Sequence, residues 1–285
     1  MRFTRLHLGL FIKEGFAAFV DDHALTRGAA IAFYTVTAIA PVLFVATAIA
    51  SLVLGPTAAS AAVSDQLRQI MNPQSADLVQ AAIVHVRGIH RSLQGSLLGI
   101  TALIVTTSGV FTEIEDALNV IWKAPRHESY LYQLLRGRVL SLALVVMLGF
   151  LFMLSLLLAS GIGLLGSFLT RFTAHSQSVV DVINPILSFV LVALLFAAIY
   201  KVMPNKRITW RDVMWGAMGT ALLFQVGQAA IAFYIADILS VNIYGAAAGV
   251  IVLLIWGYYS AQIFLLGAEF TKVWAYHFGS QKDKL

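Results

Sequence analysis

The chain has 285 residues, 59% of them hydrophobic and only 12% charged, with a net charge of +5 and a mean hydropathy of +0.84. Soluble domains carry about a quarter charged residues, so fourteen acids and nineteen bases cannot cover a water-facing surface on a chain this apolar. This excludes a soluble enzyme and a disordered tail; with no cysteine, it also excludes a disulfide scaffold, a thiolate nucleophile and a Cys-bound metal.

Residues 1–27 mix four bases with three acids and hold no long apolar stretch, so no cleavable signal peptide is expected ahead of the first span. Phe3, Leu6, Leu10 and Phe16 form a stripe suited to a helix lying on the cytoplasmic leaflet. Beyond Arg27 the charges thin out in a regular way. Gaps without Asp, Glu, Lys or Arg run from Arg27 to Asp65, Arg91 to Glu113, Arg138 to Arg171, Asp181 to Lys201, Asp212 to Asp237 and Asp237 to Glu269. A helix crosses the hydrocarbon core in about 20 apolar residues. Membrane-barrel strands would instead alternate polar and apolar positions, which Leu140–Leu158 does not do. The gaps predict an all-α polytopic membrane protein, one six-span domain over 1–285. Its spans are placed at 29–54, 93–112, 139–169, 182–203, 213–236 and 245–268.

The connecting segments carry helices of their own. Segment 55–91 faces outward, and Asn72-Pro73-Gln74 predicts a helix start there. Val79, Ile83, Val86 and Ile89 then give it one apolar stripe. In segment 113–138, Thr112 and Glu115 read as a capping box that opens a new amphipathic helix after the second span, and Pro125 marks its end. Residues 269–285 are the tail.

Six spans put both termini on one side of the membrane. That side then holds fifteen of the nineteen bases; the other holds Arg68, Arg87, Arg91 and Arg171. Bases in short loops stay in the cytoplasm, which predicts a membrane protein with both termini inside. The same split explains the pI of 9.5 without nucleic acid. Membrane lipids are the expected partners, together with a homo-oligomeric or envelope-protein contact.

Few motifs carry chemistry. Gly161-Ile-Gly163-Leu-Leu-Gly166 has the dinucleotide-fingerprint spacing but lies inside an apolar span, with no strand before it. The seven histidines form no HExxH, and no GxSxG occurs. No cofactor or catalytic group is expected. Polar residues within the spans carry more information, because burying them costs free energy unless they find partners. Gln225 and Gln228 share a face of the fifth span; Tyr258, Gln262 and Glu269 share a face of the sixth, with Lys272 one turn beyond. Pro41 should kink the first span near its midpoint. Tyr34, Pro41, Asn119, Gln225, Gln228, Gln262 and Glu269 are the candidate lining or gating residues. Gly95 with Gly99, and Gly245 with Gly249, have the spacing that lets membrane helices pack closely.

Several stretches together resemble the YihY/BrkB family of bacterial inner-membrane proteins, once labelled ribonuclease BN-like. They are Gly28-Ala-Ala-Ile-Ala-Phe-Tyr34 with Ala40-Pro41, Asp116-Ala-Leu-Asn-Val-Ile-Trp122, Met203-Pro204-Asn205-Lys206 with Trp210-Arg-Asp-Val, and Tyr244-Gly245, Trp256 and Leu266-Gly-Ala-Glu269. The resemblance runs in order from about residue 24 to 275. It implies six spans and a transport or envelope role of unassigned substrate, with links to virulence and serum resistance. It supplies no catalytic residue. A ribonuclease is disfavoured, since no His/Asp metal cluster is present. The expected function is therefore a transporter or lipid-handling protein; the alternative is a non-transporting scaffold or envelope assembly factor.

Overall fold

The computed structural model describes residues 5–70, 109–125, 176–237 and 248–282, with residues 77, 80, 81, 84 and 154 as isolated helical positions. Every described element is a helix or a short turn, with no strand among the described residues. In chain order they are α1 (Arg5–Asp21), α2 (Ala24–Leu54), α3 (Pro56–Ile70), α4 (109–121), α5 (Ser176–Val202), α6 (Trp210–Asp237) and α7 (Ala248–His277). The four long helices α2, α5, α6 and α7 have 27 to 31 residues. At about 1.5 Å per residue each is longer than the ~30 Å hydrocarbon core.

These four helices overlap the first, fourth, fifth and sixth expected spans; α7 continues past residue 268 to His277, into the segment expected as the tail. Within α5 and α7, Pro185–Val202 and Val250–His277 are long and apolar enough to cross a membrane. The third expected span and nearly all of the second lie outside the described residues, as does most of the expected helix after Asn72.

Local chemistry sets the element ends. His23, at φ 54°, turns the chain between α1 and α2 in the left-handed region, where His is found more often than most residues. At the far end of α2, Gly55 takes φ 80° and its N–H donates to Ser51 O at 3.1 Å. Pro56 follows as the first residue of α3, a position that needs no N–H. Lys123, at φ 47°, ends α4. Its N–H donates to Val120 O and the Ala124 N–H to Asn119 O, the paired bonds of a Schellman motif, and Pro125 follows.

Two local expectations change. Residues 109–121 form one helix, so Thr112 lies inside α4 and opens no new one. Val110 and Phe111 ahead of it are buried against the core, and that packing carries the helix through the capping sequence. In α1, Phe11 and Gly15 meet Phe270 of α7 and Phe19 is buried in the core; of the expected stripe, Leu10 and Phe16 are 54% and 51% exposed, and Phe16 also meets Phe270 edge-on at 5.9 Å. α1 is thus apolar on two sides, one of them already occupied by protein.

α7 is the axis of the bundle: α1 and α2 pack on one side of it and α6 on the other, with α5 beyond α6. The core lies where α4, α5, α6 and α7 meet. Tyr200, Phe196 and Phe264 have ring centroids 5.1 to 6.2 Å apart, and the buried Tyr200 hydroxyl donates to Phe264 O at 2.6 Å. Leu118 and Ile121 of α4, with Trp122 just after it, complete the cluster, and Ala197, Ala217, Ala221 and Ala268 keep the helices close.

Candidate functional site

The polar groups gather at the end of the bundle that holds the start of α2, the end of α4, the α5–α6 turn and the end of α7. Glu269 and Lys272 lie one turn apart on α7, and the left-handed turn at His23 brings Asp22 against them. Lys272 Nζ donates to Glu269 Oε2 at 2.9 Å and to Asp22 Oδ2 at 3.2 Å. The side chains of Glu269, Lys272 and Asp22 are 0%, 12% and 17% exposed. Arg27 Nε donates to the Asp22 carbonyl, tying down the turn that carries this carboxylate. Two carboxylates thus share one ammonium in a nearly dry setting.

Two helical turns before Glu269, Gln262 faces the same way. Its Nε2 donates to Leu25 O at 3.2 Å, across the α2–α7 contact. Gly28 makes this possible, since a Cβ there would stand 2.2 Å from Gln262 Nε2. Gln262 Oε1 is buried with no partner among the described residues.

A second polar group closes the α4–α5–α6 side. Asn119 Oδ1 accepts from the Asn205 N–H at 2.7 Å. The Lys206 ammonium donates to Trp122 O and to the Tyr276 hydroxyl, at 3.2 and 2.6 Å, and lies 5.1 Å from the Tyr276 ring centre. Thr209 precedes α6 and its hydroxyl donates to Asp212 Oδ2, which also accepts from the Ser280 N–H and hydroxyl. Burial on its own pushes the Asp212 carboxyl up. The bonds from Ser280 and Thr209, with the charge of Arg211, outweigh it and hold Asp212 below the ordinary carboxylate range. Glu113 on α4 moves the opposite way: burial raises it, Arg27 opposes, and Asp116 adds to the rise.

The α6–α7 seam has a reciprocal geometry. The Thr271 side chain lies over Gly216, and the Thr220 side chain lies over Gly267; each threonine hydroxyl donates to the carbonyl four residues earlier. Tyr259 covers Gly227 further along. Membrane helices approach closely through such small-residue steps. Of the glycines expected to pack this way, Gly95, Gly99, Gly245 and the surroundings of Gly249 lie outside the described residues.

The other expected site residues are scattered. Tyr34 is 37% exposed, and its ring covers Gly109 at the α2–α4 crossing. Pro41 lies within α2, and its side chain is outside the described residues. Gln225 Nε2 reaches Pro185 O on α5 at 3.5 Å, and Gln228 is half-buried on α6. Tyr258 is 38% exposed. Gln262 and Glu269 are brought to one seam, Asn119 joins the adjoining polar group, and Gln225 turns toward α5.

Asp22, Asn205, Lys206, Asp212 and Tyr276 are additional members. Thr209-x-x-Asp212 carried a usable signal, the capping spacing ahead of α6; Asp22 carried none, being 250 residues from its ammonium. No group of three or more His, Asp or Glu among the described residues stands close enough to hold a metal ion.

The chain matches the family model "Virulence factor BrkB" over residues 16–285. It is 30% identical over 258 residues to a UPF0761 membrane protein of Cronobacter sakazakii, an alignment covering 88% of this chain and 83% of that protein. It is 32% identical over 216 residues to a UPF0761 membrane protein of Enterobacter sp. strain 638 and to the UPF0761 membrane protein YihY of Salmonella newport; each alignment covers 73% of this chain and 70% of the relative. No solved structure matches it.

Proposed function

The chain belongs to the BrkB family of bacterial membrane proteins, and from that premise we propose that it is a transporter or lipid-handling protein of the inner membrane. In this reading it crosses the bilayer six times with both termini in the cytoplasm. The fifteen-to-four division of its bases supports that topology. The polar end formed by Asp22, Asn119, Lys206 and Glu269 is then its cytoplasmic end.

One observation carries the reading: Asp22, Lys272 and Glu269 are buried together where the α1–α2 turn meets α7. Desolvating charges there costs several kcal/mol per ion, and an apolar replacement of the same volume would often hold the helices as well. Ionisable groups retained at such cost in a membrane protein mark ion or substrate routes. A chemical reaction has less support: these relatives bear no enzymatic name, and the triad lacks a nucleophile beside its carboxylates.

The test is reconstitution. Purified protein in liposomes is assayed for lipid scrambling and for uptake of a broad solute panel. Activity is expected, with Glu269→Gln slowing it about tenfold, as a barrier rise of about 1.4 kcal/mol gives. Folded protein that is inactive across the whole panel refutes transport. A stoichiometric partner crosslinked in native membranes would then favour a scaffold.

A further inference from the structure

The Asp22–Lys272–Glu269 cluster is one positive charge short of its two carboxylates when all three groups are ionised. Lys272 satisfies Glu269 Oε2 and Asp22 Oδ2, but Glu269 Oε1 is buried with no donor among the described residues. The two carboxyls are gathered on one ammonium, Glu269 Oε2 at 2.9 Å and Asp22 Oδ2 at 3.2 Å from Lys272 Nζ. Two ionised carboxylates only accept, so no bond forms between them until one carries a hydrogen. A single proton would complete that bond and bring the cluster to neutrality.

Among the described residues, no other charge on the surrounding elements does this job. Asp22 and Lys272 are the charged groups acting on Glu269. From α2, Arg27 donates to the Asp22 carbonyl and its charge acts on Glu113 of α4, which also faces Asp116. From α1, Glu14 pairs with His277 at 2.6 Å, two turns along α7. From α6, Asp212 is closed by Thr209 and Ser280. Asp22 is the member with most contact with water, so it provides the way in.

We propose that Asp22 and Glu269 form a binding site for one exchangeable proton, held between the two carboxyl groups and balanced by Lys272. The proton arrives from water, sits as O–H···O⁻ between the two side chains, and leaves the same way; no covalent bond or electron moves. With it, the cluster is neutral and the α1–α2 turn is drawn onto α7. Without it, two like charges face each other across that contact. The inference deepens the transport reading by naming a proton as the coupling ion, and it can be measured with no cargo present.

The experiment is a pH titration of the purified full chain in lipid nanodiscs, followed by infrared difference spectroscopy of the protonated-carboxyl C=O stretch. A band that titrates above the ordinary carboxylate range and belongs to the Asp22–Glu269 pair is expected. It should persist in Glu113→Gln and His277→Gln and vanish in both Glu269→Gln and Asp22→Asn. Thermal unfolding gives a second reading. One proton held by the folded chain and released on unfolding weakens the fold about tenfold per pH unit as pH rises from the ordinary carboxylate range to the site's midpoint, and no further above it. That dependence should flatten in Asp22→Asn, the rim substitution least damaging to folding.

No titrating band in the wild-type chain, or a band surviving both substitutions, overturns the site. A midpoint that rises with sodium at fixed pH, in place of the proton dependence, assigns the site to sodium and overturns the proton. An intact band in a protein inactive in liposomes refutes transport and leaves the proton site standing.

Discussion

Gly216→Ala tests whether the reciprocal threonine–glycine steps hold α6 against α7. An added Cβ at residue 216 would stand 1.8 Å from Thr271 Oγ1 and 2.6 Å from both Thr271 Cβ and Cγ2. The oxygen can swing aside by rotating χ1, but Cβ is fixed to the backbone of α7. Carbon atoms pack best at about 3.5–4.0 Å, so the helices must separate by about 1 Å at this level. A gap of that size forfeits about a quarter to a half of each contact along the seam, where Thr220, Gly267 and Tyr259 also interlock. Overpacking of this kind costs about 1–3 kcal/mol, and the rigid obstacle puts Gly216→Ala toward the upper end. The assay is reversible unfolding of the purified chain in mixed micelles, with Thr271→Ala and the double variant completing a cycle. Thr271→Ala removes Oγ1 and Cγ2, so the double variant should recover part of the loss, a coupling of about 0.5–3 kcal/mol. Gly216→Ala as stable as wild type, or a cycle with no coupling, would refute the packing.

Two further outcomes follow from the same end of the bundle. Asp212 is held below the ordinary carboxylate range, so the stability it adds is complete above that range. That stability is lost as pH falls through its folded value. The thermal midpoint should therefore drop on acidification and do so less in Asp212→Asn. Lys206→Met strips Trp122 O and the Tyr276 hydroxyl of a charged donor, and hydrogen bonds to charged groups contribute about 1.5–3 kcal/mol; a loss of about 2 kcal/mol in denaturant unfolding is expected, with Lys206→Arg recovering part of it.

Much of this architecture was legible because a bilayer writes itself into charge spacing. The gap from Asp212 to Asp237 is α6 almost to the residue, and the gap from Arg27 to Asp65 holds all of α2 beyond its first turn, with its Gly55-Pro56 stop. Glu269 and Lys272 were legible as a pair because helical periodicity is local. The pair is buried, however, and the third member came from a turn 250 residues away. Burial depends on what packs opposite, and no local pattern encodes that. The small-residue steps were missed for another reason. Glycine pairs four apart were sought, whereas Gly216-x-x-x-Thr220 and Gly267-x-x-x-Thr271 have the same spacing with threonine as the second small residue. Thr112 erred the opposite way: a start signal was overridden by buried Val110 and Phe111 just before it.

The two sides of α7 differ in mechanical character. Toward α6, side chains are seated on bare backbone, and sliding or parting that seam means losing close contacts along several turns at once. Toward α1 and α2, side chains are seated in the same way, Phe270 over Gly15 and Gln262 over Gly28, but polar ties are added at one end, Gln262 to Leu25, Lys272 to Asp22 and His277 to Glu14. Polar ties of this sort can be exchanged one at a time for water, so the α1–α2 turn is where this side of α7 yields first. A hinge built on this frame would swing α1 with that turn, and α2, α6 and α7 would be its post.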